Sequence, residues 1–119
     1  MKRILLVDGQ KELRDFLSKF FFLSRYEVET AEDTEAAMAL IRMRPYDLVI
    51  LDSKMPNTDG LFLIKRLKMC YPSLPIMIMS DSCVGEPFFR EAGADGFLTK
   101  PIDLSSLKIL VEELLNSKP

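Results

Sequence analysis

The sequence predicts an α/β fold in which a parallel five-stranded sheet is covered by helices on both faces. Short apolar runs rich in β-forming residues alternate along the chain with stretches whose apolar residues recur at helical spacing. Most of these runs have no polar face, which is typical of strands buried on both sides of a parallel sheet. No internal repeat or shift in composition interrupts the alternation, so we expect residues 1–119 to form one domain.

The first half of the chain contains three predicted strands and two predicted helices. Two of the strands are continuous apolar runs, whereas the second alternates polar and apolar residues, as an exposed edge strand does. The first helix is amphipathic and rich in Phe, and the second is rich in Ala, with Asp33 or Thr34 placed to cap its start. In chain order, these elements occupy residues 3–7, 11–22, 26–30, 33–43 and 48–51.

The second half continues the alternation with three helices and two strands. The middle helix is short, because Gly85 and Pro87 interrupt the segment before it, and Pro87 suits its first position. Phe88 and Phe89 of this helix are either core residues or an exposed docking patch, and we interpret them as core. In chain order, these elements occupy residues 61–71, 75–79, 88–92, 96–99 and 104–115, and residues 116–119 indicate a frayed end or the start of a linker.

Composition excludes several classes of function. A net charge of −2 gives no electrostatic basis for binding nucleic acid or a membrane surface. No apolar run approaches the ~18 residues of a membrane span, and the N-terminus does not have the pattern of a signal peptide. The chain has no His, and Cys70 and Cys83 lack the spacing of metal ligands, which excludes zinc sites and a histidine base. We therefore expect a reducing, cytoplasmic setting.

Polar residues stand where the predicted strands end. Right-handed crossovers and one reversal of strand order favour the flavodoxin-like order 2-1-3-4-5. This order brings Asp8 and Asp52 to one crevice, and Ser80 and Lys100 arrive there from strands four and five. Alone, Asp52 would be interpreted as a turn former or helix cap. Together, the four residues predict a site with two carboxylates, a hydroxyl and an ammonium.

Several of these residues match the pattern of a known family. They are Asp8, the segment Asp52-x-x-Met55-Pro56-x-x-Asp59-Gly60, Ser80, the run Gly93-Ala94-Asp95-Gly96-Phe97 and the pair Lys100-Pro101. In this order and spacing, they resemble the receiver domain of bacterial two-component response regulators over essentially the whole chain. The resemblance implies a CheY-like fold and a cis peptide bond between Lys100 and Pro101.

The resemblance also implies roles for the residues of the crevice. Asp52 would accept a phosphoryl group from a partner histidine kinase or phosphotransfer protein. An aspartate carboxylate can attack phosphorus to form an acyl phosphate, and the transition state spreads negative charge over three oxygens. Ser80 would bind the phosphoryl oxygens, and Lys100 would neutralise them. Phe97 would change rotamer with phosphorylation; taken alone, Lys100 would be a surface lysine and Phe97 a core aromatic.

Magnesium and protein partners follow from the same resemblance. Mg²⁺ would supply the remaining positive charge, held by Asp8, Asp52 and the backbone carbonyl of Lys54. The domain would be a signalling switch rather than an enzyme. Its output would be a contact with a downstream effector protein, or with an output domain that is adjacent or lost.

Three positions depart from the family pattern. Gly9 stands where the family usually carries a second acid, normally the direct metal ligand, so Mg²⁺ binding should be weak. Lys54 has an ammonium that could reach the crevice and partly replace the charge of the metal. Asp81 stands where a small residue is usual. It could repel a phosphoryl group, pair with Lys54 or Lys100, replace the missing metal ligand or point to solvent.

Two classes of function remain open. The domain is either a working phosphoacceptor switch or a pseudo-receiver, which acts as a phosphorylation-independent protein-interaction module. We favour the first class. A flavodoxin-like cofactor binder is disfavoured because residues 8–11, Asp-Gly-Gln-Lys, are neither a Gly-rich nor a Ser/Thr-rich phosphate loop.

Overall fold

The computed structural model describes residues 1–55 and 60–116, and within them five strands alternate with five helices. The strands are β1 (Arg3–Val7), β2 (Glu27–Ala31), β3 (Leu48–Asp52), β4 (Ile76–Ser80) and β5 (Gly96–Thr99). The helices are α1 (Lys11–Leu23), α2 (Thr34–Met43), α3 (Gly60–Cys70), α4 (Glu86–Ala92) and α5 (Leu104–Asn116). Pro56 and Asp59 of the family segment, and the last three residues, lie outside the described ranges.

The sheet is parallel, with strand order β2-β1-β3-β4-β5, which confirms the predicted fold class and order. β2 lies at one edge, as its alternating pattern predicted. Val7 of β1 is paired with Leu51 of β3, and Asp52 is paired with Met79 of β4. The order of the strands reverses between β1 and β3, so the carboxyl ends of these two central strands lie side by side.

Helices cover both faces of the sheet and create two cores. One core lies between the sheet and α2, α3 and α4, and the other lies between the sheet and α1 and α5. β3 and β4 are buried along their whole length. Burial of each large apolar side chain contributes about 1.5–3 kcal/mol. The central strands are therefore firmly held, and so are the residues at their carboxyl ends.

Element boundaries differ from the predictions by one or two residues. β2 is shifted by one residue toward the C-terminus. β3 includes Asp52, because its backbone still pairs with Met79. α4 begins at Glu86 rather than at residue 88, which makes Pro87 its second residue instead of its first. As predicted, α4 is short, with seven residues.

The prediction that Phe88 and Phe89 are core residues holds for only one of them. Phe88 is 63% exposed, so the prediction was wrong for this residue. Phe89 is partly buried, and its ring centroid lies 6.3 Å from that of Phe97. Successive residues of a helix point in different directions, so a short helix on a sheet cannot bury both.

The peptide bond before Pro101, the length of the helices and the state of the two cysteines bear on further expectations. The Lys100–Pro101 peptide bond is cis, as the resemblance implies. Within the described ranges, no helix has the length and apolar character needed to cross a bilayer. Cys70 and Cys83 are both unpaired and exposed.

Replacing Gly93 with Ala is expected to lower the free energy of unfolding by about 1–2 kcal/mol. Gly93 ends α4 with φ 123°, which residues with a Cβ rarely adopt. The added Cβ would lie 2.8 Å from Cγ of Lys68, whose ammonium is held 2.7 Å from Asp95. Urea denaturation measures the loss. Gly60→Ala is the matched control, because Gly60, the first residue of α3, has no positive φ and an added Cβ would lie no closer than 3.5 Å to a neighbouring atom. Equal losses in both variants would contradict the explanation.

Candidate functional site

Four strands deliver the four predicted residues to one edge of the sheet. Asp52 and Ser80 are the last residues of β3 and β4, and Asp8 and Lys100 directly follow β1 and β5. Backbone hydrogen bonds also hold Asp8 and Lys100, the two residues that follow strands. The Asp8 N–H donates to the carbonyl of Ala31 at 3.1 Å, and the Lys100 N–H donates to the carbonyl of Ser80 at 2.7 Å. All four are therefore positioned by the ladder of a buried sheet.

Lys100 lies between the two carboxylates. Its Nζ is 3.4 Å from Oδ2 of Asp8 and 3.5 Å from Oδ1 of Asp52. The side chains of Asp8 and Asp52 are 0% and 10% exposed, and that of Lys100 is 17% exposed. Two carboxylates and one ammonium leave a net negative charge in a place that water reaches poorly. Such a site attracts a further cation.

Burial raises the pKa of the Asp52 carboxyl, and the charge of Asp8 raises it further. The Lys54 N–H, 3.2 Å from Oδ1, and the ammonium of Lys100 act in the opposite direction, but burial has the largest effect. Both of these contacts use Oδ1. Oδ2 of Asp52 takes part in neither contact.

Asp8 is tied to the start of α1. Its Oδ1 accepts a hydrogen bond from the Gln10 N–H at 2.8 Å, which leaves Oδ2 facing Lys100. Arg14 donates from Nη1 to the Asp8 carbonyl at 2.8 Å. Gln10 and Arg14 could not be identified from the sequence, because a backbone donor and a residue one turn into a helix carry no local signal. Between them, they fix the position of the first carboxylate.

Ser80 is buried, with 6% exposed, and is held by two other serines. Its Oγ lies 2.9 Å from Oγ of Ser53 and 3.3 Å from the N–H of Ser82. The Ser80 hydroxyl therefore lies at the same edge of the sheet as Asp52, the candidate phosphoacceptor. Among the described contacts, its hydrogen-bond partners are these two serines rather than Asp52. Ser53 and Ser82 were not identified from the sequence, and the only signal for Ser53 is a hydroxyl directly after Asp52.

Lys54 and Asp81 form an ion pair at the rim, with Lys54 Nζ 3.3 Å from Asp81 Oδ2. Their side chains are 74% and 57% exposed. Of the alternatives for Asp81, the structure shows pairing with Lys54. In the described ranges, no three acidic, Cys or His side chains are grouped closely enough to share a metal ion, so Asp81 does not form such a group with Asp8 and Asp52.

The oxygen donors at the crevice are of the kind that Mg²⁺ prefers. Mg²⁺ prefers oxygen ligands and is usually bound by one or two carboxylates together with several waters. Asp8 and Asp52 supply two carboxylates, and Gly9 is exposed beside them without a side chain to add a third. Lys100 competes with a metal for the same oxygens, at 3.4 and 3.5 Å.

A doubly wound sheet of this order, with two aspartates, a serine and a lysine at its carboxyl edge, defines the class of signalling receiver domains. The family model of the response regulator receiver domain matches residues 4–112. The chain belongs to this family. Receiver domains are parts of two-component systems in which response regulators interact with kinases and effector domains.

Several relatives are similar over nearly the whole chain. The response regulator MprA of Mycolicibacterium vanbaalenii is 36% identical over 115 residues, which are 95% of this chain and 50% of MprA. The chain therefore spans about half the length of such relatives.

Solved structures are similar over a comparable share of the chain. TrrA of Thermotoga maritima, solved in complex with Mg²⁺ and BeF, is 31% identical with a TM-score of 0.89 over 96% of this chain and 99% of that one. The chemotaxis response regulator CheY4 of Vibrio cholerae is 29% identical, with a TM-score of 0.89 over 96% and 98%.

Proposed function

We propose that this domain accepts a phosphoryl group on Asp52 from a partner histidine kinase or phosphotransfer protein. The observation that carries the proposal is the Lys100 ammonium, which lies within 3.5 Å of both Asp8 and Asp52 at the carboxyl edge of the sheet. The proposed setting is the cytoplasm, where a reducing environment suits the unpaired Cys70 and Cys83. The domain acts as a switch rather than as an enzyme.

Asp52 is the nucleophile in this proposal. Its Oδ2 attacks the phosphorus while the bond from phosphorus to the donor breaks, and the donor leaves with its electron pair. Lys100 neutralises charge on the phosphoryl oxygens, and Ser80 donates a hydrogen bond to one of them. Such reactions depend on positioning and on cations more than on covalent chemistry by the protein. Buried strand ends provide that positioning.

Asp8, Asp52 and the backbone carbonyl of Lys54 are the proposed ligands of Mg²⁺. When bound, the ion would neutralise phosphoryl charge that Lys100 alone leaves uncompensated. Asp8 is suited to this role because Gln10 fixes one of its oxygens and leaves the other in the crevice. We propose that binding is weak, because Gly9 provides no carboxylate.

The proposed readout runs from Ser80 to α4. Phe97 of β5 is 9% exposed and lies against Phe89 of α4, with ring centroids 6.3 Å apart. A change in the Phe97 rotamer would therefore change the packing of α4, whose Phe88 is exposed to a partner. The partner is a downstream effector protein or an output domain, since relatives such as MprA are about twice as long.

Incubation with a small phosphodonor tests the proposal. With acetyl phosphate and Mg²⁺, we expect the intact mass to rise by one phosphoryl group, and chelation of Mg²⁺ should slow the reaction. A mass that stays unchanged at saturating donor and Mg²⁺ would contradict the proposal. That result would favour the pseudo-receiver, for which the missing acid at Gly9 is the supporting observation.

Replacing Gly9 with Asp is expected to tighten Mg²⁺ binding about tenfold or more, because a third carboxylate enters the donor set. Among the described glycines, Gly93 is the one with a positive φ, so the Gly9 backbone accepts a side chain without strain. Titration calorimetry measures the affinity of both proteins. Gly9→Asn is the matched control, since it adds similar bulk without charge. A gain from Asn equal to that from Asp would show that carboxylate charge is not the cause.

Replacing Asp81 with Ala is expected to speed phosphorylation by acetyl phosphate about two- to threefold. The substitution releases the Lys54 ammonium and removes a negative charge from the rim. Exposed ion pairs have small effects that salt screens, so the gain should shrink as ionic strength rises. Rates of mass gain, measured with and without Mg²⁺, give the comparison. Loss of Mg²⁺-dependent phosphorylation would instead identify Asp81 as a metal ligand, contrary to this expectation.

A further inference from the structure

Ser53 connects the candidate phosphoacceptor to the hydroxyl of the next strand. It directly follows Asp52, and its N–H donates to the carbonyl of Met79 at 2.8 Å, which extends the pairing of β3 with β4 by one bond. Its Oγ lies 2.9 Å from Oγ of Ser80. Ser53 is only partly exposed, and Ser80 is buried, so water competes poorly for this hydrogen bond.

The hydrogen-bonding capacity of Ser80 gives this contact a direction. A hydroxyl can donate one hydrogen bond and accept two. The Ser82 N–H already occupies one acceptor position on Ser80 Oγ, at 3.3 Å. When the Ser53 hydroxyl donates, the second acceptor position is filled as well. The hydroxyl proton of Ser80 is then its one remaining hydrogen-bonding group, so Ser80 can act toward a further partner only as a donor. A phosphoryl oxygen is an acceptor and requires that proton.

We infer that Ser53 is a positioning residue that turns Ser80 into a hydrogen-bond donor toward a phosphoryl group on Asp52. The hydrogen bonds then run in one direction, from Ser53 to Ser80 and from Ser80 to the phosphoryl oxygen. Hydrogen bonds in such a chain polarise and strengthen one another. This inference rests on the proposed function, because it assigns to Ser53 a role in the same site. Ser53 itself does not touch the phosphoryl group.

Beryllofluoride, which takes the place of a phosphoryl group on a carboxylate, is a suitable probe. Its dissociation constant at saturating Mg²⁺ is to be measured for the wild-type protein and for Ser53→Ala, Ser53→Thr, Ser80→Ala and the double variant Ser53→Ala/Ser80→Ala. We expect Ser53→Ala to weaken beryllofluoride binding about fivefold, which corresponds to the net free-energy contribution of one hydrogen bond. Ser53→Thr keeps the hydroxyl and should bind within about twofold of the wild type.

The double variant separates positioning from a general structural effect. If Ser53 acts through Ser80, removing the Ser53 hydroxyl from the Ser80→Ala protein should cause no further loss. A fivefold loss that persists in the Ser80→Ala background would overturn the inference, and so would a Ser53→Ala protein that binds as tightly as the wild type. A Thr variant as weak as the Ala variant would also overturn it. Failure of the wild-type protein to bind beryllofluoride would instead overturn the proposed function, and the inference with it.

Discussion

Asp52→Asn is expected to abolish phosphorylation and to raise the free energy of unfolding by about 1 kcal/mol at neutral pH, because it removes a charge that is unfavourable in its buried position. The amide cannot form an acyl phosphate, so no donor or metal concentration should restore the mass gain. It keeps an oxygen that can accept from the Lys54 N–H, which bonds Asp52 at 3.2 Å. The substitution therefore removes a buried charge while keeping the shape of the site.

The gain in stability has a definite pH dependence. Burial and the charge of Asp8 raise the pKa of Asp52 in the folded state. The folded protein therefore binds this proton more tightly than the unfolded chain, whose aspartates titrate near pH ~3.9. The cost of the charged form develops as the pH rises from that value through the raised pKa, and it is complete above it. Below pH ~3.9 the cost vanishes.

Urea denaturation of the wild type and Asp52→Asn at several pH values measures this cost. The difference in stability between the two proteins should be small below the ordinary aspartate pKa and should grow as the pH rises. Taking the difference cancels the titration of the carboxylates that do not interact with Asp52. A variant less stable than the wild type at neutral pH would show that Lys100 and the Lys54 N–H compensate fully for burial of the charge.

Lys100→Met is expected to slow phosphorylation by acetyl phosphate about 100-fold or more, as loss of one preorganised hydrogen-bond donor to the transition state does in other sites. Lys100 lies within 3.5 Å of both carboxylates. Without its ammonium, the repulsion between Asp8 and Asp52 is offset less, and the pKa of Asp52 rises further because Lys100 lowers it. Less of Asp52 is then in the ionised form that attacks phosphorus, and the negative charge of the transition state loses the cation that neutralised it.

Lys54→Met is the matched control for this prediction. It makes the same chemical change two residues after Asp52, but the Lys54 side chain is 74% exposed and paired with Asp81 at the rim. Its removal should change the rate less than about threefold. Equal losses in the two variants would show that bulk positive charge near the crevice matters, rather than the position of Lys100 between the carboxylates.

The sheet could be predicted from the sequence because most of its strands are apolar runs with no competing pattern, and the edge strand β2 alternates polar and apolar residues. The reversal of strand order at β1 and β3 then places Asp8 and Asp52 together by topology alone. Lys100 and Ser80 follow from the same argument, since their strands lie next in order. The positions of these residues are determined by the pairing of the strands. The hydrophobic periodicity and the length of the apolar runs predict those strands well.

Side-chain pairing was harder to predict, because it depends on rotamers and on neighbours distant in sequence. The sequence left four alternatives open for Asp81, and only the structure places its carboxylate 3.3 Å from Lys54. Phe88 was wrongly placed in the core because the start of a seven-residue helix could not be fixed to within two residues, and such a shift changes the buried face. Ser53 was missed because its partner, Ser80, is on another strand.

The most direct test of the account is to locate the phosphoryl group on the chain. Borohydride reduces an aspartyl phosphate to homoserine, and tandem mass spectrometry of the digested protein identifies the position. After treatment with acetyl phosphate and Mg²⁺, we expect homoserine at position 52, with none at Asp8 or Asp81. Homoserine at either of those residues, or a gain of one phosphoryl mass with no homoserine at position 52, would contradict the central claim that Asp52 is the phosphoacceptor.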